Sequence, residues 1–156
     1  SIMSQIITKL KSSNFWAFIK SFSPATQAAL IFAIPFTLLD AVHYYTAGTA
    51  LVITFPLLIV FYLLCGALAA KIALQSGQDR NQLPRHGRSA GLKLWLISTV
   101  INILINIFLT PVSLGASIVS GVAYLCLFAL LHALSSAIAG WAGGWCYKQY
   151  INRISP

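Results

Sequence analysis

The fold is decided by residues 51–70, which read LVITFPLLIVFYLLCGALAA and contain no charged side chain. At about 1.5 Å per residue, a helix of this length measures about 30 Å and matches the hydrocarbon core of a bilayer. The rest of the chain has a similar character, since 58% of its 156 residues are hydrophobic and 8% are charged, whereas soluble domains carry about 25% charged residues. We therefore predict an all-α integral membrane protein and exclude a soluble fold.

Four apolar stretches of spanning length fit into the sequence. They cover residues 25–45, 50–74, 89–110 and 114–146. Pro35 and Pro56 predict kinks in the first two, because proline removes a backbone donor and crowds the preceding turn. A polar segment, residues 75–88, separates the second stretch from the third and is predicted to be a surface loop. The sequence thus predicts one membrane domain over residues 1–156 with four transmembrane helices.

An amphipathic segment, residues 2–22, precedes the first span. Its apolar residues recur at helical spacing in two stripes that point in different directions, with polar residues 12–14 between them. This pattern predicts two short helices or one broken helix lying in the membrane interface, with aromatic side chains in the acyl boundary and lysines toward the headgroups. A soluble arm that docks on a partner is the alternative.

The cations give the orientation. In a four-span arrangement all ten lie on one side of the membrane: Lys9, Lys11, Lys20, Lys71, Arg80, Arg85, Arg88, Lys93, Lys148 and Arg153. Positive charge accumulates on the cytoplasmic side, so we predict both termini in the cytoplasm and a location in the inner or plasma membrane.

The net charge of +8 is therefore assigned to lipid rather than to nucleic acid. Cations at the ends of spans face anionic headgroups, which attract them electrostatically. We expect such contacts from Lys9, Lys11, Lys20, Arg80, Arg85 and Arg88. No nucleic-acid binding is predicted.

Asp40 and His43 form the first candidate site within the spans. They stand three residues apart and share one face of the first span near its outer end. Ionisable groups inside a membrane are costly and often mark a functional site. The pair could titrate protons or bind a ligand; alternatively, Asp40 reaches water or is hydrogen bonded to a neighbouring helix.

A polar stripe follows the third span at intervals of four residues, through Ser98, Asn102 and Asn106. Such a stripe can line a pathway, although polar residues more often join helices, because a buried amide must find a partner. Asn106 is expected at a depth near that of Asp40, which predicts a hydrogen bond between them across the bundle.

His132 lies within the fourth span. Ligation of haem by two histidines is disfavoured, because His43 lies near the opposite face and His86 lies in the polar segment. A single ligand to a haem or pigment metal remains an alternative at His132. A packing histidine with a hydrogen bond is the expected role, and we predict no cofactor and no metal site.

Small residues spaced four apart predict close helix packing. They are Gly66 and Ala70 on the second span, and Ser136, Gly140 and Gly144 on the fourth. Such ridges let helix backbones approach closely. The facing helix could belong to the same chain, to a second copy or to another protein.

The functional prediction follows partly from what the sequence lacks. It has no glutamate, no paired carboxylates, no nucleophile motif and no phosphate-binding loop, so no enzymatic activity is predicted. We expect a non-enzymatic accessory or structural subunit that packs in the bilayer with other membrane subunits or with itself. The alternative is a small homo-oligomeric transporter or channel that uses Asp40, His43, Asn102 and Asn106.

Overall fold

The computed structural model describes residues 2, 4, 5, 14–45, 51–109 and 114–155, and the side chains of all of these except 43–45, 51, 106, 107, 109 and 114–128. Over these ranges the regular structure is entirely helical, which confirms the all-α prediction there. The helices are α1 (Asn14–Lys20), α2 (Pro24–Tyr45), α3 (Leu51–Gln75), a short 3₁₀ helix (Arg80–Gln82), α4 (Leu83–Leu109) and α5 (Leu114–Ile154).

Three of the described helices are long and apolar enough to cross a bilayer. The qualifying stretches are Pro24–Val42, Val52–Gln75 and Arg80–Ile105. Large apolar side chains also point outward on these helices; Ile34 is 75% exposed and Val52 is 82% exposed. Such surfaces are unfavourable in water and favourable in lipid, which supports a membrane protein.

Helices α3 and α4 occupy the middle of the bundle. Helix α2 packs against both of them, and α5 packs against both of them as well. The α2 contact is close because its buried residues near the start are alanines at positions 25, 28 and 29. Further along α2, the rings of Phe36 and Tyr62 lie 4.8 Å apart between their centroids and fill the core between α2 and α3.

The polar connection is shorter than the predicted loop over residues 75–88. Helix α3 ends at Gln75, next to the left-handed Gly77, and α4 already begins at Leu83. Leu83 is fully buried and packs against Ala70 and Ala73, so the start of α4 belongs to the core.

Local features favour this early start of α4. The Asp79 side chain accepts a hydrogen bond from the Asn81 backbone N–H at 3.1 Å and caps the 3₁₀ helix. Pro84 lies in the first turn of α4, where its missing N–H breaks no helical hydrogen bond. The predicted loop residues Arg85, His86 and Arg88 therefore lie on a helix.

Helix α1 corresponds to the second of the two short helices predicted over residues 2–22. It contacts the bundle through Ile19, which is 4% exposed, while Phe15 and Phe18 are each 59% exposed. The first predicted helix and its Lys9 and Lys11 lie outside the described residues, apart from residues 2, 4 and 5.

Helix α5 begins where the predicted span over residues 114–146 begins and ends eight residues after it. Its 41 residues correspond to about 60 Å, roughly twice the hydrocarbon thickness. Its C-terminal end is attached to the polar connection, since Arg80 donates to the Ser155 carbonyl at 2.8 Å and Lys148 donates to Asn81 Oδ1 at 2.9 Å.

Candidate functional site

A cluster of polar side chains joins α2 to α4 inside the bundle. Asp40 Oδ2 accepts a hydrogen bond from Ser98 Oγ at 2.9 Å and another from Asn102 Nδ2 at 2.8 Å. The Asn102 amide also lies 3.4 Å from Ser98 Oγ. We call these three residues, Asp40, Ser98 and Asn102, the Asp40 cluster.

Helical geometry explains how two residues of α4 reach one carboxylate. Ser98 and Asn102 are four residues apart and therefore share a face of α4, which here faces α2. Ser98 is fully buried, whereas Asp40 and Asn102 are half-buried. A carboxylate in this apolar setting is costly unless donors replace its water, and Ser98 and Asn102 are such donors.

Further polar groups lie near the Asp40 cluster. Thr37 precedes Asp40 by one turn of α2; it is 6% exposed, and its Oγ1 has no hydrogen-bond partner among the described residues. Tyr62 of α3 is 3% exposed and packs against Phe36, which precedes Asp40 by one turn of α2. The cluster is therefore flanked by an unpaired hydroxyl and by a buried phenol.

Two of the predicted site residues cannot be located in this arrangement. The side chains of His43 and Asn106 lie outside the described part, so the predicted hydrogen bond between Asn106 and Asp40 does too. Asp40 and Asn102 were candidates predicted from the sequence, and Ser98 belonged to the predicted polar stripe. Thr37 and Tyr62 were missed, because a threonine and a tyrosine within an apolar span are common.

The small-residue ridge of α5 contacts two helices of the same chain. A Cβ atom on Gly140 would lie 3.1 Å from the Gly91 Cα and closer still to the Gly87 carbonyl oxygen. A Cβ atom on Gly66 of α3 would lie 2.8 Å from the Gly140 carbonyl carbon. Ser136 and Ala70 are fully buried, as expected for residues in such contacts.

Gly87 and Gly144 extend this packing toward the basic end of the bundle. A Cβ atom on Gly144 would lie 3.0 Å from the Pro84 Cα and 3.3 Å from the Gly87 Cα. The role of Gly87 in helix packing was not predicted, because the residue was assigned to the loop over residues 75–88. Its spacing of four residues from Gly91 was the available signal for a matching ridge on α4.

The basic end of the bundle is held by hydrogen bonds to uncharged groups. Lys93 Nζ donates to Thr26 Oγ1 at 2.7 Å and lies 3.3 Å from Ser23 Oγ, at the start of α2. Among the predicted headgroup contacts, Lys20, Arg80, Arg85 and Arg88 have exposed side chains. Lys93, which was not among those predictions, links α4 to the N-terminal end of α2.

The histidines do not form a metal site within the described residues. No group of three or more His, Cys, Asp or Glu side chains that could hold a metal occurs there. His132 is half-buried on α5, and its side chain is not without an interaction partner. His86 is half-buried on α4, and its Nε2 atom has no hydrogen-bond partner in the described part of the chain.

The Asp40 cluster combines one carboxylate, one hydroxyl and one amide, which can bind a cation or a proton and can also connect two helices. Comparison with protein-family models, with curated proteins and with solved structures finds no match to this chain.

Proposed function

We propose that this chain is a non-enzymatic accessory subunit that packs with other membrane proteins in a larger assembly. The observation that supports it best is the aromatic surface formed by Phe15, Phe18 and Phe22 at and just after α1. Their side chains are 36–59% exposed, and the rings of Phe18 and Phe22 pair edge to face at 4.9 Å between centroids. Aromatic residues are enriched where proteins bind one another, because they bury much area and lose little entropy.

The exposed surface of α1 leaves room for a protein partner in addition to lipid. Helix α1 is attached to its own bundle chiefly by Ile19, so most of its surface is available to another molecule. A second aromatic pair, Trp141 and Trp145, stacks at 6.4 Å between ring centroids and remains 44–46% exposed. The small-residue ridge of α5 does not add to this proposal, because α3 and α4 already cover it.

The proposed arrangement in the membrane has four spans and both termini in the cytoplasm. The start of α2, the polar connection and the end of α5 lie at the same end of the bundle. Three contacts there support this arrangement: Lys93 with Thr26, Arg80 with Ser155, and Lys148 with Asn81. All three involve cations, and the positive-inside rule assigns that end to the cytoplasm of a plasma or inner membrane.

The accessory role is tested by purification from native membranes through a C-terminal tag. We expect other membrane subunits to co-purify in fixed stoichiometry, and the double variant Phe15→Ala/Phe18→Ala to lose them. The matched control is Ile34→Ala/Leu38→Ala, which truncates two exposed apolar side chains on α2, 75% and 66% exposed. A monodisperse wild-type monomer, or equal losses in both double variants, would contradict the proposal.

The second candidate function is that of a small homo-oligomeric transporter or channel. The Asp40 cluster favours it, since a half-buried carboxylate with uncharged partners is the type of group that carries ions or protons across membranes. Asp40, His43, Asn102 and Asn106 would line the path. Flux into proteoliposomes should fall in Asp40→Asn and Asn102→Leu and persist in Asp79→Asn; flux that survives the first two variants excludes a path at this cluster.

A further inference from the structure

We propose that Asp40, together with oxygen atoms of Thr37, Ser98 and Asn102, binds a small monovalent metal cation such as Na⁺. This inference deepens the second candidate function, because it names the class of ion that such a transporter would carry or use for coupling. The inference does not depend on the proposed accessory role.

The charge of Asp40 is the first argument. The groups described as hydrogen bonded to it, Ser98 and Asn102, are both uncharged. Lys93 is hydrogen bonded to Thr26, which precedes Asp40 by fourteen positions, or about 21 Å along α2. A half-buried carboxylate whose described hydrogen-bond partners are uncharged gains from a cation that binds beside it.

The oxygen atoms of the Asp40 cluster indicate the class of cation that would bind. Asp40 contributes carboxylate oxygens, Ser98 a hydroxyl oxygen and Asn102 an amide oxygen, and hard metal cations prefer such ligands. Only one carboxylate is present in the Asp40 cluster, so it compensates one positive charge. A divalent ion would leave a second charge unneutralised in an apolar bundle, which favours a monovalent ion.

Both partners of Asp40 can rearrange to accept a cation. The Asn102 amide now donates through Nδ2, and a half-turn about its terminal bond exchanges Nδ2 for the oxygen. The Ser98 hydroxyl donates its proton to Asp40 and keeps lone pairs that can face an ion.

Thr37 supplies an independent observation. Thr37 is only 6% exposed, and its Oγ1 atom has no hydrogen-bond partner among the described residues. Buried polar groups are rarely left unpaired, and those that are require an explanation. Because Thr37 and Asp40 are three residues apart, their side chains lie on the same side of α2, where a bound ion could satisfy this oxygen.

Asp40 lies near the end of α2. It precedes the last residue of α2, Tyr45, by five positions, or about 7.5 Å. The carboxylate is half-buried and therefore not sealed within the core. The ion would enter from the end of the bundle opposite Lys93.

Thermal unfolding of the purified full chain in detergent tests the proposal. NaCl, KCl and choline chloride are compared at equal ionic strength, so that general screening is the same. We expect Na⁺ to raise the Tm of the wild type in a saturable manner, by about 3 °C at a tenfold excess over its dissociation constant. Asp40→Asn should abolish this rise and Thr37→Val should weaken it.

Asp79→Asn is the matched control, because Asp79 is the other acidic residue of the chain and caps the 3₁₀ helix outside the cluster. It should keep the Na⁺ effect. Equal Tm values in the three salts, or a Na⁺ effect retained in Asp40→Asn, would overturn the proposal. Stabilisation by acid without any Na⁺ effect would also overturn it, since the carboxylate would then bind a proton.

Direct binding of radioactive Na⁺ to the wild type and to Thr37→Val covers the case in which Asp40→Asn does not fold. Wild type that binds no Na⁺ overturns the proposal. Because neither assay measures transport, Na⁺ binding without flux would retain the site and exclude the transporter. Flux in a chain that binds no Na⁺ would exclude the site and retain the transporter.

Discussion

Asp40 has an unusual environment for an aspartate. It lies within an apolar bundle, and its described hydrogen-bond donors, Ser98 and Asn102, belong to another helix. The donors replace the water that the carboxylate loses. The solvation of Asp40 therefore depends on the packing of α2 against α4, and the same contacts that make a candidate site also connect two helices.

Replacement of Ser98 by alanine should lower the free energy of unfolding by about 1.5 kcal/mol, because a hydrogen bond to a charged, half-buried group is lost. Ser135→Ala is the control, since the Ser135 hydroxyl donates within its own helix, to the Leu131 carbonyl at 2.8 Å. Denaturant titration in detergent, followed by tryptophan fluorescence, measures both. Equal losses in the two variants would indicate that the Asp40 cluster does not stabilise the bundle.

Helices α3, α4 and α5 are held together by glycine contacts. Gly140 of α5 faces Gly66 of α3 on one side and Gly87 and Gly91 of α4 on the other. Close approach of this kind replaces the hydrophobic effect as the source of helix association in lipid, because lipid tails are as apolar as the side chains. A ridge that could have served a partner protein is therefore used inside the chain.

The Gly140→Ala variant tests this contact. The added methyl group would meet the Gly87 carbonyl oxygen and the Gly91 backbone, so α4 and α5 must separate, at a cost of about 2 kcal/mol. Ile138→Phe enlarges a 64% exposed side chain two residues earlier and should have little effect. Unfolding in detergent distinguishes the two; an unchanged stability of Gly140→Ala would contradict the close packing.

The early start of α4 is tested by a matched pair of leucines. Leu83→Ala removes a fully buried side chain and should cost about 3 kcal/mol, because a cavity is left in the core. Leu92→Ala removes a side chain that is 37% exposed and should cost clearly less. If residue 83 instead belonged to a surface loop, the ranking of the two Tm changes would be reversed.

The whole bundle has one basic end and one end that holds the Asp40 cluster. Lys93, Arg80 and Lys148 each bridge two segments at the basic end, and each does so through uncharged acceptors. With two acidic residues against ten cations, the chain cannot neutralise its own charge. Anionic headgroups at this end would stabilise the protein and fix its orientation.

Cysteine labelling tests the proposed orientation. Gln78→Cys and Ser155→Cys are introduced separately into a background without the native cysteines, and whole cells are treated with a membrane-impermeant thiol reagent. Both positions should react only after the membrane is opened, because both lie at the basic end. Labelling of the two positions from opposite sides would indicate an odd number of crossings between them and would exclude the four-span arrangement.

The sequence by itself determined the helical, membrane-compatible character of the chain. Length and hydropathy are local properties, so uninterrupted apolar runs predict spanning helices without knowledge of their neighbours. Three of the four predicted spans correspond to helices of suitable length and apolarity among the described residues, and the fourth stays a prediction. The same local reasoning singled out Asp40 and Asn102, because polar groups are conspicuous in apolar runs.

Only the tertiary structure decided which of these groups meet. Ser98 and Asn102 approach Asp40, and Gly140 approaches Gly66, Gly87 and Gly91, because of how the helices are rotated and shifted against one another. Helical periodicity defines the faces of one helix and leaves its angle and register to its neighbours undetermined. Leu83 was misassigned for the same reason, since the contacts that bury it come from α3 and α5, which are distant in sequence.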